Sequence, residues 1–292
     1  MNSLVPAFLG LLLATGAPEA PADGIPVWRR PLKGAKAVPV VVTWASLKLE
    51  ERTSADVQLG GQRTFRGVPL QTLLLSAAQK TATEDTALLH FKNGMQVPVP
   101  LTDDMLGKLD LFVARAVKDS TGKFVERFDN VVHERSPWME QRAITFGTNK
   151  LVAKDRSHPA LGATTTQFTP WAHVDSLTGI ELVNGSAWER TLRVSEDPRV
   201  LQGLGAFQQR CQFCHGVRGA GASFGWDFVK PIPVHTWRDA ESLLYHVKFR
   251  KLTGAEQGLM MPAQPDTTLD EVRALWEWMK AVSARELNAY AP

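Results

Sequence analysis

The 292-residue sequence has few cysteines, no large excess of one charge and no long apolar run. Each of these absences excludes a class of protein. Two cysteines are too few for a framework of several disulfides. The 33 basic and 30 acidic residues give a net charge of +3, without the basic surplus of a nucleic-acid-binding protein. No segment reaches the ~20 apolar residues of a membrane-spanning helix. A nucleic-acid partner and an integral membrane span are therefore not expected.

Residues 1–22 are predicted to be an export signal. An apolar stretch runs from Leu4 to Gly16, and Ala20-Pro21-Ala22 fits the pattern of small residues at which a signal peptide is cleaved. The preceding Met1-Asn2-Ser3 has none of the usual basic residues, and an uncleaved anchor is the alternative. We predict cleavage and a periplasmic location.

The pattern of residues 23–190 indicates an α+β domain, because short strands and few helices alternate without a regular βαβ rhythm. Pro69 marks the start of a predicted helix that extends to Ala78. The strands are expected from β-branched or alternating apolar residues between turn signals. They are predicted at 38–44, 57–59, 64–66, 88–91, 95–99, 111–116, 143–146 and 180–183.

A change to helical patterning marks a second domain, residues 191–292. The polar stretch Ser186–Pro198 precedes this change in pattern, and the domain boundary is placed within it. Helices are predicted at Arg199–Gln209, Ala240–Phe249 and Leu269–Val282, with Gly- and Pro-rich loops between them.

Both cysteines stand in one short motif, Cys211-Gln212-Phe213-Cys214-His215, which is the attachment pattern of a c-type haem. Two thiols three residues apart on a helical turn reach the two vinyl groups of one porphyrin, and the adjacent histidine binds the iron. A thioredoxin-like redox pair needs no following histidine, and a structural zinc site needs four ligands. The motif therefore predicts one covalent haem c, with His215 as an axial ligand of its iron.

Residues 191–292 resemble a class I monohaem cytochrome c. Gly203, Phe207 and Cys211 stand at the spacing of that family's first helix, and residues 269–279 are similar to its last helix. Met261-Pro262 is similar to the family loop whose methionine binds iron. The resemblance implies an all-α cytochrome c domain in which Met261 is the second axial ligand. A sulfur ligand favours ferrous iron and raises the reduction potential.

Some details of this site stay open at the level of sequence. Met260 precedes Met261 and competes with it as the distal ligand, and His246 is a weaker alternative. Either Pro231 or Pro233 is a candidate for the backbone carbonyl that orients the His215 imidazole.

The first domain resembles the molybdopterin-binding domain of sulfite-oxidase-like oxidoreductases. The segment 65–70 (FRGVPL) matches a strand that leads through Gly-Val-Pro-Leu into a helix, and 93–101 and 171–183 are similar to later strands. In that family a cysteine thiolate holds the metal, whereas residues 23–190 contain no cysteine. The domain is therefore interpreted as a relative without the metal cofactor.

Together these features predict a periplasmic electron-transfer protein rather than an enzyme. It would exchange single electrons with redox partner proteins, as the subunit or partner of a dehydrogenase or of a terminal acceptor. The alternative is a self-contained oxidoreductase, in which the first domain binds a molybdopterin-type cofactor and passes electrons to the haem.

Overall fold

The computed structural model describes residues 23–30, 37–55, 62–77, 84–92, 94–102, 106, 110–126, 150–152, 176–249, 264 and 266–285. The predicted signal segment, the predicted strands at 57–59 and 143–146, and both Met260 and Met261 lie outside these residues.

The described residues form twelve strands and five α-helices. The strands are β1 (Gly24–Arg29), β2 (Val40–Thr43), β3 (Glu50–Ala55), β4 (Gln62–Pro69), β5 (Thr86–Phe91), β6 (Gln96–Pro100), β7 (Phe112–Lys118), β8 (Phe124–Val125), β9 (Lys150–Val152), β10 (Leu177–Val183), β11 (Gly216–Val217) and β12 (Ala220–Gly221). The helices are α1 (Leu70–Ala77), α2 (Gly185–Leu192), α3 (Pro198–Arg210), α4 (Ala240–Phe249) and α5 (Leu269–Ala284).

Two sheets, one mixed and one antiparallel, build the first part of the chain. One has the strand order β2-β1-β10-β5-β6, in which β1 and β10 run parallel and the other pairs are antiparallel. The other has the order β3-β4-β7-β8, with β9 also paired to β7. Helix α1 follows β4 directly and buries Leu70, Leu73 and Ala77, which recur at helical spacing.

The two sheets and α1 share one apolar core. Val27 and Ile180 from the first sheet, Val113 from the second and Leu73 from α1 are all fully buried in it. Phe213 and Cys214, from the far end of the sequence, belong to the same core. The cysteine motif is therefore in contact with the sheets.

The helices of the C-terminal part start where the sequence supplies caps. Asp197 accepts hydrogen bonds from the backbone N–H groups of Arg199 and Val200 at the start of α3. Thr268 and Glu271 form a capping box at the start of α5. Helices α3 and α5 pack together, and the rings of Phe207 and Trp278 stack with their centroids 4.6 Å apart. This packing creates a second apolar core.

The predicted fold class, an α+β domain of the sulfite-oxidase type followed by an all-α cytochrome c domain, is wrong. The described residues form a mixed α/β protein rich in strands, and the C-terminal part contains the antiparallel hairpin β11–β12. Arg218 (φ 56°) and Gly219 (φ 82°) are both left-handed, which reverses the chain within two residues. The sequence predicts only a Gly-rich loop for this segment, and the hairpin was not expected.

The domain boundary predicted near residue 190 falls inside α2, because residues 185–192 are helical.

In the described part of the chain, no helix has both the length and the apolar character to cross a bilayer, as predicted.

A partly buried cluster of Glu181, Arg30 and His90 lies on the first sheet. Glu181 in β10 accepts hydrogen bonds from Arg30 (Nε to Oε1, 2.7 Å) and from His90 in β5 (Nε2 to Oε2, 3.1 Å). Burial alone would raise the pKa of the Glu181 carboxyl, but the hydrogen bonds and charges of His90 and Arg30 outweigh it and lower the pKa from 4.5 to about 2. The ionised carboxylate therefore stabilises the folded chain.

This depressed pKa predicts an acid-dependent loss of stability. The contribution of Glu181 is fully present above about pH 4.5 and is lost as the pH falls toward 2, and over this interval it amounts to roughly 3 kcal/mol. Glu181→Gln is therefore expected to lower the free energy of unfolding strongly at pH 7 and much less near pH 2. Urea unfolding at a series of pH values measures the difference.

Glu196→Gln is the matched control, because Glu196 also pairs with an arginine, Arg193, but its side chain is 77% exposed. Exposed ion pairs contribute little to stability, so this variant should track the wild type at every pH. If Glu181→Gln lowered the free energy of unfolding as much at pH 2 as at pH 7, the lowered pKa of Glu181 would be contradicted.

Candidate functional site

The cysteine motif forms a tight turn at the end of α3. Cys211 caps this helix, and its N–H donates to the carbonyl of Phe207 (2.8 Å). The N–H groups of Cys214 and His215 both donate to the carbonyl of Cys211, at 3.1 and 2.9 Å. The helical turn expected of the motif is present, and it holds two thiols and an imidazole within five residues.

The two thiols are buried in different cores. Cys211 is 6% exposed and packs with the helices, whereas Cys214 is 8% exposed and packs with the sheets. Burial raises the pKa of both thiols to about 12. Reactive redox cysteines and zinc-binding thiolates depend on a lowered pKa, so this environment does not favour thiolate chemistry.

The His215 imidazole is oriented by a backbone carbonyl. Its Nδ1 lies 2.7 Å from the carbonyl oxygen of Trp226. A carbonyl only accepts, so Nδ1 carries the proton and the lone pair is on Nε2. Such a bond to the second ring nitrogen is the usual arrangement of a metal-binding histidine. Nε2 is therefore the atom that would bind iron.

Two neighbours fix the plane of this imidazole. A Cβ added to Gly225 would lie 2.5 to 2.9 Å from three ring atoms of His215, so only glycine permits this close approach. The ring of Phe228 is tilted against the imidazole, with the two ring centroids 4.9 Å apart. The ring position is therefore set by contacts as well as by its hydrogen bond.

The loop that carries Trp226 is held by one carboxylate. Asp227 accepts hydrogen bonds from the backbone N–H groups of Arg218, Gly219, Val229 and Lys230. This ties the loop to the β11–β12 turn. The Trp226 carbonyl that accepts the hydrogen bond from His215 is therefore held in place by the hydrogen bonds of Asp227.

Ion pairs anchor the end of α3 to the start of α5. The Arg210 guanidinium, immediately before Cys211, pairs with Asp266 (3.3 Å) and with Glu271 (3.1 Å). Its side chain is only 11% exposed. The motif is thus attached at one end to the last helix.

The structure brings together some of the site residues predicted from sequence, but not all of them are among the described residues. Cys211, Cys214 and His215 lie together, whereas Met261 and Met260 fall outside the described residues. His246 lies on α4 and is partly buried. The expectation that Pro231 or Pro233 supplies the orienting carbonyl is wrong, because the acceptor is Trp226. A backbone acceptor has no side-chain signature, which is why the sequence did not indicate it.

No protein-family model matches the chain, and no curated protein matches it. Nor do three His, Cys, Asp or Glu side chains converge as a metal site in the described ranges.

The residues of the motif fit a covalent haem. Two thiols and an imidazole follow one another on a helical turn, and the imidazole presents the correct nitrogen as a ligand.

Proposed function

We propose that the protein is a one-electron carrier that holds a single haem c through Cys211 and Cys214. The observation that carries this proposal is the His215 imidazole, whose Nδ1 donates to the Trp226 carbonyl next to the two cysteines. This arrangement leaves Nε2 as the nitrogen for iron and makes His215 a stronger ligand.

Each residue of the motif has its own role in the proposal. The sulfurs of Cys211 and Cys214 form thioether bonds, which hold the group without any need for a thiolate in the finished protein. His215 supplies one axial ligand, and Gly225 and Phe228 keep its ring in place. When bound, the iron supplies reversible one-electron chemistry, which no side chain of the motif provides.

The apolar surroundings of the motif support electron transfer as the proposed function. Phe213 is 1% exposed and Cys214 is 8% exposed, so water is excluded from this side of the motif. A dry, apolar setting tunes the reduction potential of a haem rather than supplying acid–base groups. The electron donors and acceptors are proposed to be periplasmic redox proteins, a dehydrogenase or a terminal acceptor.

Met261 is proposed as the second axial ligand, on the resemblance of Met261-Pro262 to a distal methionine loop. Met261→Ala is expected to abolish the sulfur-to-iron charge-transfer band of the ferric protein. It should also lower the reduction potential by at least about 0.1 V, well within the ~0.8 V range that axial ligands set. Visible spectroscopy and potentiometric titration measure both effects.

Met260→Ala is the matched control, because it removes a methionine one residue earlier. It should retain the band and the potential. The reverse pattern would transfer the role to Met260, and retention of both properties in the double variant would refute sulfur ligation.

The proposed function is tested on the protein purified from the periplasm of a host that matures c-type cytochromes. Intact mass should equal the chain without residues 1–22 plus one haem, and the reduced protein should show the spectrum of a c-type haem. Neither cysteine should react with an alkylating reagent after denaturation. A colourless protein with two alkylated cysteines would refute the proposal.

A further inference from the structure

The edge of the first sheet forms main-chain hydrogen bonds with the cysteine motif. The N–H of Gln96, the first residue of β6, donates to the carbonyl of Phe213 (3.0 Å). Two residues earlier, the carbonyl of Gly94 accepts from the N–H of Ser223 (2.8 Å). The segment Gly94–Gln96 therefore contacts two separate parts of the C-terminal chain, and we call it the sheet clamp.

The two segments held by the sheet clamp are the ones that hold His215. Phe213 lies two residues before His215, in the same turn. Ser223 leads to Gly225, whose N–H donates to the carbonyl of Cys214 (2.6 Å), and to Trp226, whose carbonyl accepts from His215. The backbone thus connects the two hydrogen bonds of the clamp, within a few residues, to the hydrogen bond between His215 and Trp226.

Apolar contacts also connect the sheet clamp to the cysteine motif. Phe213 and Cys214 are buried in the sheet core, and Phe224 packs against that core as well. Met95, the middle residue of the sheet clamp, is a buried member of the same core. The side chains between the clamp and the motif are therefore packed together.

We propose that the sheet clamp is a positioning element for the axial ligand His215, so that the N-terminal sheets help to set the reduction potential of the haem. This inference rests on the proposed function. By holding the motif and the 223–226 segment in register, the clamp maintains the hydrogen bond from Nδ1 to Trp226. That bond increases the basicity of the imidazole and so favours ferric iron. A loosened clamp weakens the bond and raises the potential.

Gly94 provides a direct way to open the clamp. Its φ of 88° is left-handed, and an added Cβ would lie 2.6 Å from Oγ of Ser223 and 3.0 Å from the nitrogen of Phe224. Gly94→Ala therefore introduces both backbone strain and a clash with the segment that leads to Trp226. Gly122 is the matched control, because its φ is 84° but nothing lies within 4 Å of its added Cβ. Gly122→Ala has the strain without the clash.

The experiment compares haem-loaded wild type, Gly94→Ala and Gly122→Ala by hydrogen exchange and by potentiometric titration. In Gly94→Ala, the amides of Gln96, Ser223 and Gly225 should exchange at least about tenfold faster. A tenfold loss of the preference of His215 for ferric iron would raise the potential by about 59 mV. In Gly122→Ala, the exchange at these amides and the potential should match the wild type.

Two outcomes would overturn the inference: unchanged exchange at the three amides, or faster exchange with an unchanged potential. If Gly94→Ala does not fold, Gly94→Asn replaces it, because asparagine tolerates a left-handed backbone and retains the clash. Intact mass is recorded for every variant. Absence of haem from the wild type would refute the proposed function, whereas faster exchange with an unchanged potential in haem-loaded Gly94→Ala would refute the inference about the clamp alone.

Discussion

Replacing both Cys211 and Cys214 by serine is expected to abolish covalent haem completely, while the chain is still exported. Thioether bonds form only at cysteine sulfur, and these are the two cysteines of the sequence. With only the proposed axial ligands His215 and Met261 left to hold it, any haem should dissociate on denaturation. Single variants should retain one thioether and be recovered in lower yield. Intact mass and haem staining after denaturing electrophoresis measure the outcome.

Leu75→Ser is the control for the cysteine variants, since Leu75 is 73% exposed on α1, and it should carry a full complement of haem. Covalent haem in the Cys211→Ser/Cys214→Ser variant would contradict the assignment of the motif. Wild-type protein without haem would contradict it equally.

Gly203→Ala is expected to destabilise the packing of α3 on α5 by about 3 kcal/mol. A Cβ at this position would lie 2.0 Å from the carbonyl oxygen of Ala274 and 2.7 Å from Cβ of Trp278. These are atoms of the facing helix backbone and of a fully buried side chain, so the two helices must move apart. For a chain of 292 residues, the midpoint of thermal unfolding should fall by roughly 5 °C.

Gly205→Ala is the matched control in the same helix. Nothing lies within 4 Å of its added Cβ, so only the helix propensity changes. Alanine is favoured over glycine in a helix interior by about 1 kcal/mol, and the variant should be slightly more stable than the wild type. Equal effects of the two substitutions in thermal unfolding would contradict the close approach of α3 and α5.

The local elements of the fold follow well from the sequence. The helix after Pro69 extends over 70–77, and α4 has the predicted bounds Ala240–Phe249. These elements carry their own signals in apolar spacing and in proline or caps. Strand β1 and helix α2 were not predicted, because Gly24–Arg29 is short and contains a proline and Gly185–Leu192 is largely polar.

The site was predictable where its chemistry depends on side chains. The motif indicates Cys211, Cys214 and His215 directly, and the structure brings them onto one turn. The Trp226 carbonyl and the sheet clamp act through backbone atoms, which any residue can supply. Gly225 and Gly94 are the only sequence traces of these contacts, and a single glycine does not reveal what lies against it.

The burial of the two sulfurs has a consequence for biogenesis. Each sulfur is enclosed by a different core, one made of helices and one made of sheets. On the proposed function, ligation of the porphyrin must therefore precede the final closure of both, while the translocated polypeptide is still open to the assembly machinery.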